Sequence, residues 1–278
     1  MMGTRIYGGL DSAFWEQRPL IGMVHLPALP GSPGDTGQGL EPVIKRAVAD
    51  ARALEAGGAS AVMIENFFDA PFAKDRVPAH TVAAMTRAVL AVRRATQLPI
   101  GVNVLRNDAC AALAIAHICD AQFIRVNVWV GAAVTDQGII EGAARKAILY
   151  RREIGANVAI FADVFVKHAA QIGAGTLEDA ARDAVHRGQA DALIVTGAAT
   201  GAVASAEDLR QVKAALPGTR LLIGSGLNAE TAPALIVHAD GAIAGTNLKQ
   251  DGDVAAPVEP DRVRAVRAAM LGADEQTG

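Results

Sequence analysis

Aromatic residues are scarce in this sequence, at only 4%, although 51% of its 278 residues are hydrophobic. The core must therefore be built mainly from Ala, Val, Ile and Leu, which are among the side chains most often buried. Cysteine is also scarce: the only two, Cys110 and Cys119, fall within one predicted helix, where their spacing does not suit a disulfide. A disulfide-stapled scaffold is thereby excluded, and a reducing cytoplasm fits.

The sequence has neither an excess of one charge nor a long apolar run. Its 26 basic and 29 acidic residues give a formal net charge of −3, which offers no field to attract nucleic acid or an anionic membrane. We find no signal peptide, and no stretch of about 20 apolar residues such as a membrane span needs. We expect a cytoplasmic protein with no nucleic-acid partner and no membrane insertion.

Eight short β-rich runs alternate with helical patterns along the chain. This alternation favours parallel βα units, and 278 residues are close to the roughly 250 usual for one (β/α)8 barrel. The sequence predicts an α/β fold of this TIM-barrel type, as a single domain over residues 1–278 with an N-terminal extension (1–19) and a frayed tail (273–278). The predicted strands are Leu20–His25, Ala59–Glu65, Pro99–Leu105, Ala121–Asn127, Asn157–Asp163, Asp191–Thr196, Arg220–Gly224 and Asp240–Ala244.

Residues with capping chemistry mark where several helices begin. Asp108 precedes the third helix, and the pairs Thr176 with Asp179 and Ser205 with Asp208 have the spacing of a capping box. The polar segment before the first strand predicts a short helix packed under the barrel.

The last two predicted strands each end in a loop of small residues. In such barrels the loops after strands seven and eight commonly form a phosphate site, because glycine lets backbone N–H groups approach an anion closely. The alternative is that these glycines only make tight turns, and that Lys249 is a surface lysine. The predicted phosphate-binding residues are Gly224, Ser225, Gly226, Gly245, Thr246 and Lys249.

Polar residues end or interrupt the other strands, at the face where the active site of a barrel forms. His25, Glu65 and Asp163 are the predicted catalytic residues, because a histidine and carboxylates of different basicity can transfer protons. His25 as a satisfied core histidine, and Glu65 in a structural pair with Arg125, stay open as alternatives. The residues predicted to bind substrate are Asn103, Arg125, Asn127 and Thr196.

Several other chemistries have no matching motif. No lysine ends the sixth strand, which disfavours a Schiff-base aldolase, and no Gly-x-Gly-x-x-Gly follows the first strand. No cofactor is predicted, and no metal site is assigned, although His25, Glu65 and Asp163 leave a divalent metal possible. The long segment 128–142 is predicted to be a loop that closes over the site, residues 197–201 to extend the ligand mouth, and Lys167 with His168 to lie on a solvated face.

Several blocks of the sequence together resemble the BtpA/SgcQ family. They are Ile21-Gly-Met-Val-His-Leu-Pro-Ala-Leu-Pro-Gly-Ser-Pro33, Glu65-Asn66 with Asp69-Ala-Pro-Phe72, Gly101-Val-Asn-Val-Leu-Arg-Asn-Asp108, Thr135-Asp-Gln-Gly-Ile-Ile-Glu-Gly142, Asp163-Val-Phe-Val-Lys-His-Ala169 and Gly224-Ser-Gly-Leu-Asn228. The resemblance runs from about Leu20 to Lys249, and the first and fourth blocks are highly specific.

The resemblance implies a barrel of the ribulose-phosphate-binding type. The named member of the family is associated with stabilising photosystem I, whereas other members occur in bacterial sugar-metabolism settings and in non-photosynthetic organisms. Some members carry the label phosphoribosylanthranilate isomerase, an enzyme that uses a cysteine ending strand one as base and an aspartate ending strand five as acid. Asp163 matches the second role, but His25 stands where the cysteine is expected.

Two functional hypotheses follow. The first is an enzyme, isomerase-like or a lyase, that acts on a small phosphorylated sugar or related metabolite by acid–base proton transfer. The second is a non-catalytic assembly factor that binds a protein partner and exposes an apolar patch for it. In either case the protein has the potential to form a homo-oligomer.

Overall fold

A computed structural model describes residues 7–165, 169–173, 175–197 and 203–272 of the chain. Eight parallel strands close into a barrel in the order β1-β2-β3-β4-β7-β9-β10-β11, which confirms the predicted (β/α)8 fold. In chain order the strands are β1 (Leu20–His25), β2 (Ala61–Glu65), β3 (Ile100–Asn103), β4 (Phe123–Val126), β5 (Ala132–Thr135), β6 (Gly138–Glu141), β7 (Ala159–Val164), β8 (Ala170–Gln171), β9 (Ala192–Val195), β10 (Arg220–Ile223) and β11 (Gly241–Ala244).

Helices connect the barrel strands. They are α1 (Ser12–Glu16), α2 (Leu40–Ala56), α3 (Ala79–Ala95), α4 (Ala109–Ile118), α5 (Ala144–Glu153), α6 (Leu177–Arg182), α7 (Ala206–Ala215), α8 (Ala232–Ile236) and α9 (Pro260–Gly272). A π-helical turn, Asp183–Arg187, continues α6, and 3-10 turns occur at Phe67–Asp69, Thr246–Leu248 and Gln250–Gly252.

The predicted caps are confirmed. The Asp108 carboxylate accepts a hydrogen bond from the Ala111 N–H at 3.0 Å, at the start of α4. The hydroxyl of Thr176 accepts from the Asp179 N–H at 3.1 Å, and that of Ser205 from the Asp208 N–H at 3.3 Å. Each bond satisfies an N–H that has no partner inside its own helix, so these short polar side chains fix where the helices begin.

The barrel interior is filled by alternate residues of the strands. Met23, Met63, Phe123 and Phe161 belong to this inner cluster, and the rings of Phe123 and Phe161 stack with centroids 4.6 Å apart. A larger apolar layer of aliphatic residues lies between the strands and the surrounding helices. Aromatic rings thus fill part of the barrel interior, whereas the layer under the helices is mainly aliphatic.

The two tryptophans belong to different apolar clusters. Helix α1 carries Trp15 into the inner cluster, where its ring lies 5.8 Å from that of Phe161, as the prediction of a short helix under the barrel required. Trp129 follows β4, is fully buried and belongs to the apolar layer between strands and helices, where its indole packs against Gly188. The two indoles therefore report on the inner cluster and on this outer layer.

The segment 128–142 is not the unstructured loop that its small residues predicted. Strands β5 and β6 form an antiparallel hairpin within it, and β8 adds a third strand to this separate sheet. Alternating apolar residues explain the difference: Ala133 and Ile140 are buried with Val128, whereas Val134 and Ile139 are exposed on the opposite face. Such alternation is the pattern of a half-buried strand pair.

Replacing Gly101 with alanine should destabilise the fold. An added Cβ would lie 2.1 Å from the Phe123 ring inside the barrel, so the free energy of unfolding should fall by about 1–3 kcal/mol, as is typical of an overpacked core. The matched control is Gly218→Ala, where no atom lies within 4 Å of the added Cβ and the change should stay within about 0.5 kcal/mol. Urea denaturation measures both, and equal stability of the two variants would contradict the packing described here.

Candidate functional site

The strand register gathers the predicted polar residues into a ring at the carboxyl ends of the strands. His25 pairs with Glu65 in the β1–β2 ladder. Asn103 pairs with Glu65 on one side and with Arg125 on the other. Because these residues follow the inward-facing positions by steps of two, their side chains extend the inner cluster toward the mouth of the barrel.

His25 and Glu65 form the first part of this ring. The His25 Nε2 lies 3.9 Å from Glu65 Oε1, close enough for electrostatic interaction but longer than a hydrogen bond. Glu65 Oε2 accepts a hydrogen bond from Asn103 Nδ2, and the His25 imidazole stacks on Phe67 with ring centroids 4.5 Å apart. A histidine and a carboxylate are thus held side by side, each oriented by a neighbour.

Arg125 pairs with Asp163 and not with Glu65, which settles one alternative left open by the sequence. Its Nε and Nη2 donate to the two Asp163 oxygens at 2.9 and 2.8 Å, and Asn127 Nδ2 adds a third bond to Asp163 Oδ2 at 2.9 Å. Burial opposes the charge of Arg125, but the charge and hydrogen bonds of Asp163, with the charge of Glu65, outweigh it, so the pKa of Arg125 is raised. The bidentate pair fixes the orientation of the charged Arg125 guanidinium at the mouth.

A cavity joins this ring to the two small-residue loops. It encloses about 40 Å³, which is room for about three water molecules and so comparable with the terminal oxygens of one phosphate group. Its lining includes Met23, His25, Glu65, Phe67, Arg125, Gly224, Ser225, Gly226, Leu227, Ile243, Gly245, Thr246 and Asn247. Two of the predicted catalytic residues and five of the predicted phosphate-binding residues therefore share one space, whereas Asp163 does not line it.

Glycine is required on both sides of this cavity. Gly226 has φ +74°, a backbone conformation that other residues rarely adopt. A Cβ on Gly245 would lie 2.9 Å from Cε1 of His25, so this glycine lets the second loop approach the imidazole. Within the described ranges, no oxygen accepts a hydrogen bond from the N–H of Gly226 or of Thr246. Both amides are available to an anionic group.

Lys249 lies outside this cavity, and its placement corrects both expectations for it. It is not a surface lysine, because its side chain is fully buried with its ammonium 3.8 Å from Asp50 Oδ2. Nor does it belong to the cradle, the pair of small-residue loops Gly224–Gly226 and Gly245–Thr246. The ammonium also lies 3.5 Å from the Ala256 carbonyl oxygen. Burial lowers the pKa of Lys249, and the charge of Asp50 opposes that shift. Lys249 therefore links α2, through Asp50, to the loop that contains Ala256.

Thr196 and the neighbouring loop complete the described part of the mouth. The Thr196 hydroxyl is buried, with no hydrogen-bond partner among the described residues. The Gly197 N–H donates to the Ser225 hydroxyl oxygen at 2.9 Å, which ties the loop after β9 to the cradle. Residues 198–201 of the predicted mouth, with Lys167 and His168, lie outside the described residues.

Arg106 is a buried mouth residue that the sequence did not single out. Burial lowers its pKa, and the negative charges of Asp163, Asp136 and Glu65 oppose that shift. A second guanidinium thus acts on the same acidic groups as Arg125. Arg106 lies shortly after β3, within the block 101–108 that resembles the family. That block is the only sequence signal for Arg106, because no pattern of charges around it predicts a site.

Amide side chains hold the loops around the mouth. Asn66 Oδ1 accepts from the Leu105 N–H at 2.8 Å, and Asn66 Nδ2 donates to Asp69 Oδ2 at 3.0 Å. Asp69 Oδ1 accepts from the Leu29 N–H at 2.8 Å. The loops after β1, β2 and β3 are therefore fixed to one another by buried polar bonds. This also explains why β3 ends at Asn103, before the predicted Leu105.

In the described part of the chain, no group of three or more His, Cys, Asp or Glu side chains could hold a metal ion. Nor does any helix there have the length and apolar character needed to cross a membrane.

Comparison with known proteins gives full-length relatives. The chain is 46% identical over 261 residues to a protein of Synechocystis sp. named photosystem I biogenesis protein BtpA, covering 94% of this chain and 91% of that one. It is also 46% identical over 252 residues to an uncharacterised protein of Thermococcus kodakarensis, covering 90% of this chain and 94% of that one.

Solved structures show the same fold at low sequence identity. Phosphoribosyl anthranilate isomerase from Thermus thermophilus superposes with a TM-score of 0.56 at 12% identity, covering 91% of this chain and 98% of that one. At that identity the likeness concerns the barrel alone.

The family profile described as the BtpA family matches residues 16–271. This match, together with the full-length Synechocystis relative, confirms the resemblance noted in the sequence: the chain belongs to the BtpA family.

Proposed function

We propose that the protein is an enzyme that acts on a small phosphorylated sugar or related metabolite by acid–base proton transfer. The observation that carries this proposal is the single cavity lined by both the His25–Glu65 pair and the two small-residue loops. A phosphate group bound at Gly224–Gly226 and Gly245–Thr246 would anchor one end of the ligand. The rest of the ligand would then extend toward the acid–base pair, so remote binding energy orients the reacting carbons.

The charges around the cavity suit proton transfer next to a carbonyl. Glu65 would take a proton from one carbon while His25 gives a proton to the carbonyl oxygen on the adjacent carbon. His25 would then take the proton of the hydroxyl on the first carbon, and Glu65 would give its proton to the adjacent carbon, which restores both groups. The Arg125 guanidinium lines the same cavity and would stabilise the negative charge that develops on the substrate oxygen. The proton count is unchanged over the cycle, as an isomerisation requires.

Asp163 has a supporting role in this scheme. Three hydrogen bonds from Arg125 and Asn127 already occupy its two oxygens. A carboxylate so occupied orients its partners more readily than it exchanges protons. We therefore reassign Asp163 from a catalytic acid to the residue that positions Arg125.

A second candidate function is binding of a protein partner. It is favoured by the name of the Synechocystis relative, a photosystem I biogenesis protein that is 46% identical to this chain. Val134, Ile139 and Ile172 are exposed apolar residues in or beside the small sheet of β5, β6 and β8, as a docking surface would require. If no phosphate compound stabilises the protein, this second function becomes the better one.

Phosphorylated ligands should stabilise the folded protein. A ligand present at a hundredfold excess over its Kd adds about 2.7 kcal/mol to the free energy of unfolding. Thermal unfolding with inorganic phosphate and a panel of sugar phosphates would measure this, in the presence and absence of Mg²⁺. The substitution Thr246→Asp should abolish the shift, because a carboxylate in the cavity repels phosphate. The matched control, Thr219→Asp, carries the same charge before β10 at the opposite end of the barrel and should keep the shift.

The proposed proton transfer depends on Glu65. Glu65→Gln preserves size and the acceptor for Asn103 but cannot take a proton, so it should slow the reaction by about 10²–10⁴-fold. The measurement is incorporation of solvent deuterium into a bound sugar phosphate, followed by NMR. Ligand-induced stabilisation should remain close to that of the unmodified protein. Unchanged deuterium incorporation in this variant would refute the role given to Glu65.

Removing the charge of Asp163 should weaken the fold as well as the site. Asp163→Asn leaves the buried Arg125 without its counter-ion, so the free energy of unfolding should fall by about 3–5 kcal/mol. As a comparison, Glu41→Gln removes one member of the exposed Arg87–Glu41 pair and should cost at most about 1 kcal/mol. Chemical denaturation tests both. An Asp163→Asn variant of full stability that had lost only activity would restore Asp163 as a catalytic acid.

A further inference from the structure

Two amide oxygens at the mouth are buried without a donor. Asn103 is 1% exposed and Asn127 is 3% exposed. Within the described part of the chain, no group donates a hydrogen bond to Oδ1 of either side chain. Buried polar atoms nearly always have a partner, so two unpartnered acceptors in one site call for an explanation.

The orientation of both amides is fixed by carboxylates. Asn103 Nδ2 donates to Glu65 Oε2, and Asn127 Nδ2 donates to Asp163 Oδ2. A rotation that exchanged the nitrogen and the oxygen would set an amide oxygen against a carboxylate oxygen, with no proton between them. The unpartnered atoms are therefore the oxygens, which accept hydrogen bonds and cannot donate them.

The strands that carry or precede these acceptors lie across the barrel from the cradle, although neither Asn103 nor Asn127 lines the cavity itself. In the closed strand order β4 stands opposite β11, and β3 stands opposite β10. Asn103 lies in register between Glu65 and Arg125, both of which line the cavity. Glu65 adds a carboxylate to the same side, so β2, β3 and β4 together present a row of hydrogen-bond acceptors.

A row of oxygens can receive a metal cation or the O–H groups of a ligand. The O–H groups of a ligand fit better, because no group of three or more His, Cys, Asp or Glu side chains among the described residues could hold a metal ion. The guanidiniums of Arg106 and Arg125 also already interact with Glu65. A carboxylate on the ligand is disfavoured as well, since it has no proton to donate to an amide oxygen. Hydroxyl groups are neutral donors and meet both conditions.

We propose that the end of the ligand remote from its phosphate carries two or more hydroxyl groups, which donate to Asn103 Oδ1, Asn127 Oδ1 and Glu65. This inference rests on the proposed phosphate cradle and narrows its ligand to a polyhydroxylated chain or sugar. It also gives the ligand a direction, with phosphate at β10 and β11 and hydroxyls at β3 and β4.

Two probes of equal length separate the hydroxyl groups from the phosphate. Ribitol 5-phosphate and pentyl phosphate have the same five-carbon chain and the same phosphate, and inorganic phosphate tests the cradle by itself. Titration calorimetry on the unmodified protein should give a Kd for ribitol 5-phosphate at least about tenfold lower than for pentyl phosphate, as one or two added hydrogen bonds predict. Adding Mg²⁺ should not increase this preference.

The outcomes distinguish the two proposals. If all three probes bind and ribitol 5-phosphate has no advantage, the hydroxyl inference is overturned while the cradle stands. If inorganic phosphate and pentyl phosphate fail to bind at millimolar concentration, the cradle itself is refuted. A preference that appears only with Mg²⁺ would instead assign the acceptors to a metal.

Variants of the two asparagines test whether their amide oxygens cause the preference for ribitol 5-phosphate. Asn127→Leu and Asn103→Leu remove the acceptors at similar volume and should reduce the tenfold preference to about twofold or less, with the Kd for inorganic phosphate unchanged. Asn157→Leu, at an exposed asparagine before β7, should keep the full preference. A preference that survives in both mouth variants would contradict the assignment, and the comparison of probes on the unmodified protein remains decisive if either variant does not fold.

Discussion

In a closed parallel barrel every second side chain of a strand faces the interior, and the hydrogen-bonded register fixes the height at which it does so. His25, Glu65, Asn103 and Arg125 share the mouth of this barrel because their strands are paired at these positions. A slip of one residue in any of these strands would turn its polar residue into the aliphatic layer under the helices. The site is thus a consequence of strand pairing, and Glu65, Arg125 and Asp163 are tolerated there because each has a hydrogen-bond partner on a neighbouring strand.

Features that depend on local sequence could be predicted. The strand bounds to within two residues, the caps at Asp108, Thr176 and Ser205, and the helix carrying Trp15 follow from period, turn chemistry and short-range hydrogen bonds. The candidate site could be gathered at one face because parallel strands all end there. Placing the site at that face requires only the general fold. The bounds predicted for β1 are those observed.

Features that depend on which residues meet across the barrel could not be predicted. Arg125 was equally able to pair with Glu65 or with Asp163, and the choice is set by side-chain reach between β4 and β7. Lys249 follows the cradle in sequence, but the chain turns its side chain back onto Asp50 in α2. Segment 128–142 read as a loop because its alternation is short and is interrupted by small residues. In each case the missing information was a contact distant in sequence.

The fluorescence emission of the two indoles can be compared within one molecule. These are the only tryptophans of the chain, and Trp15 packs in the inner cluster while Trp129 is buried in the layer between strands and helices. Emission from an indole depends on its immediate surroundings. A change confined to one of these two layers would therefore alter one emitter and leave the other as a reference, so local repacking and a loss of the whole fold carry different optical signatures in the unlabelled protein.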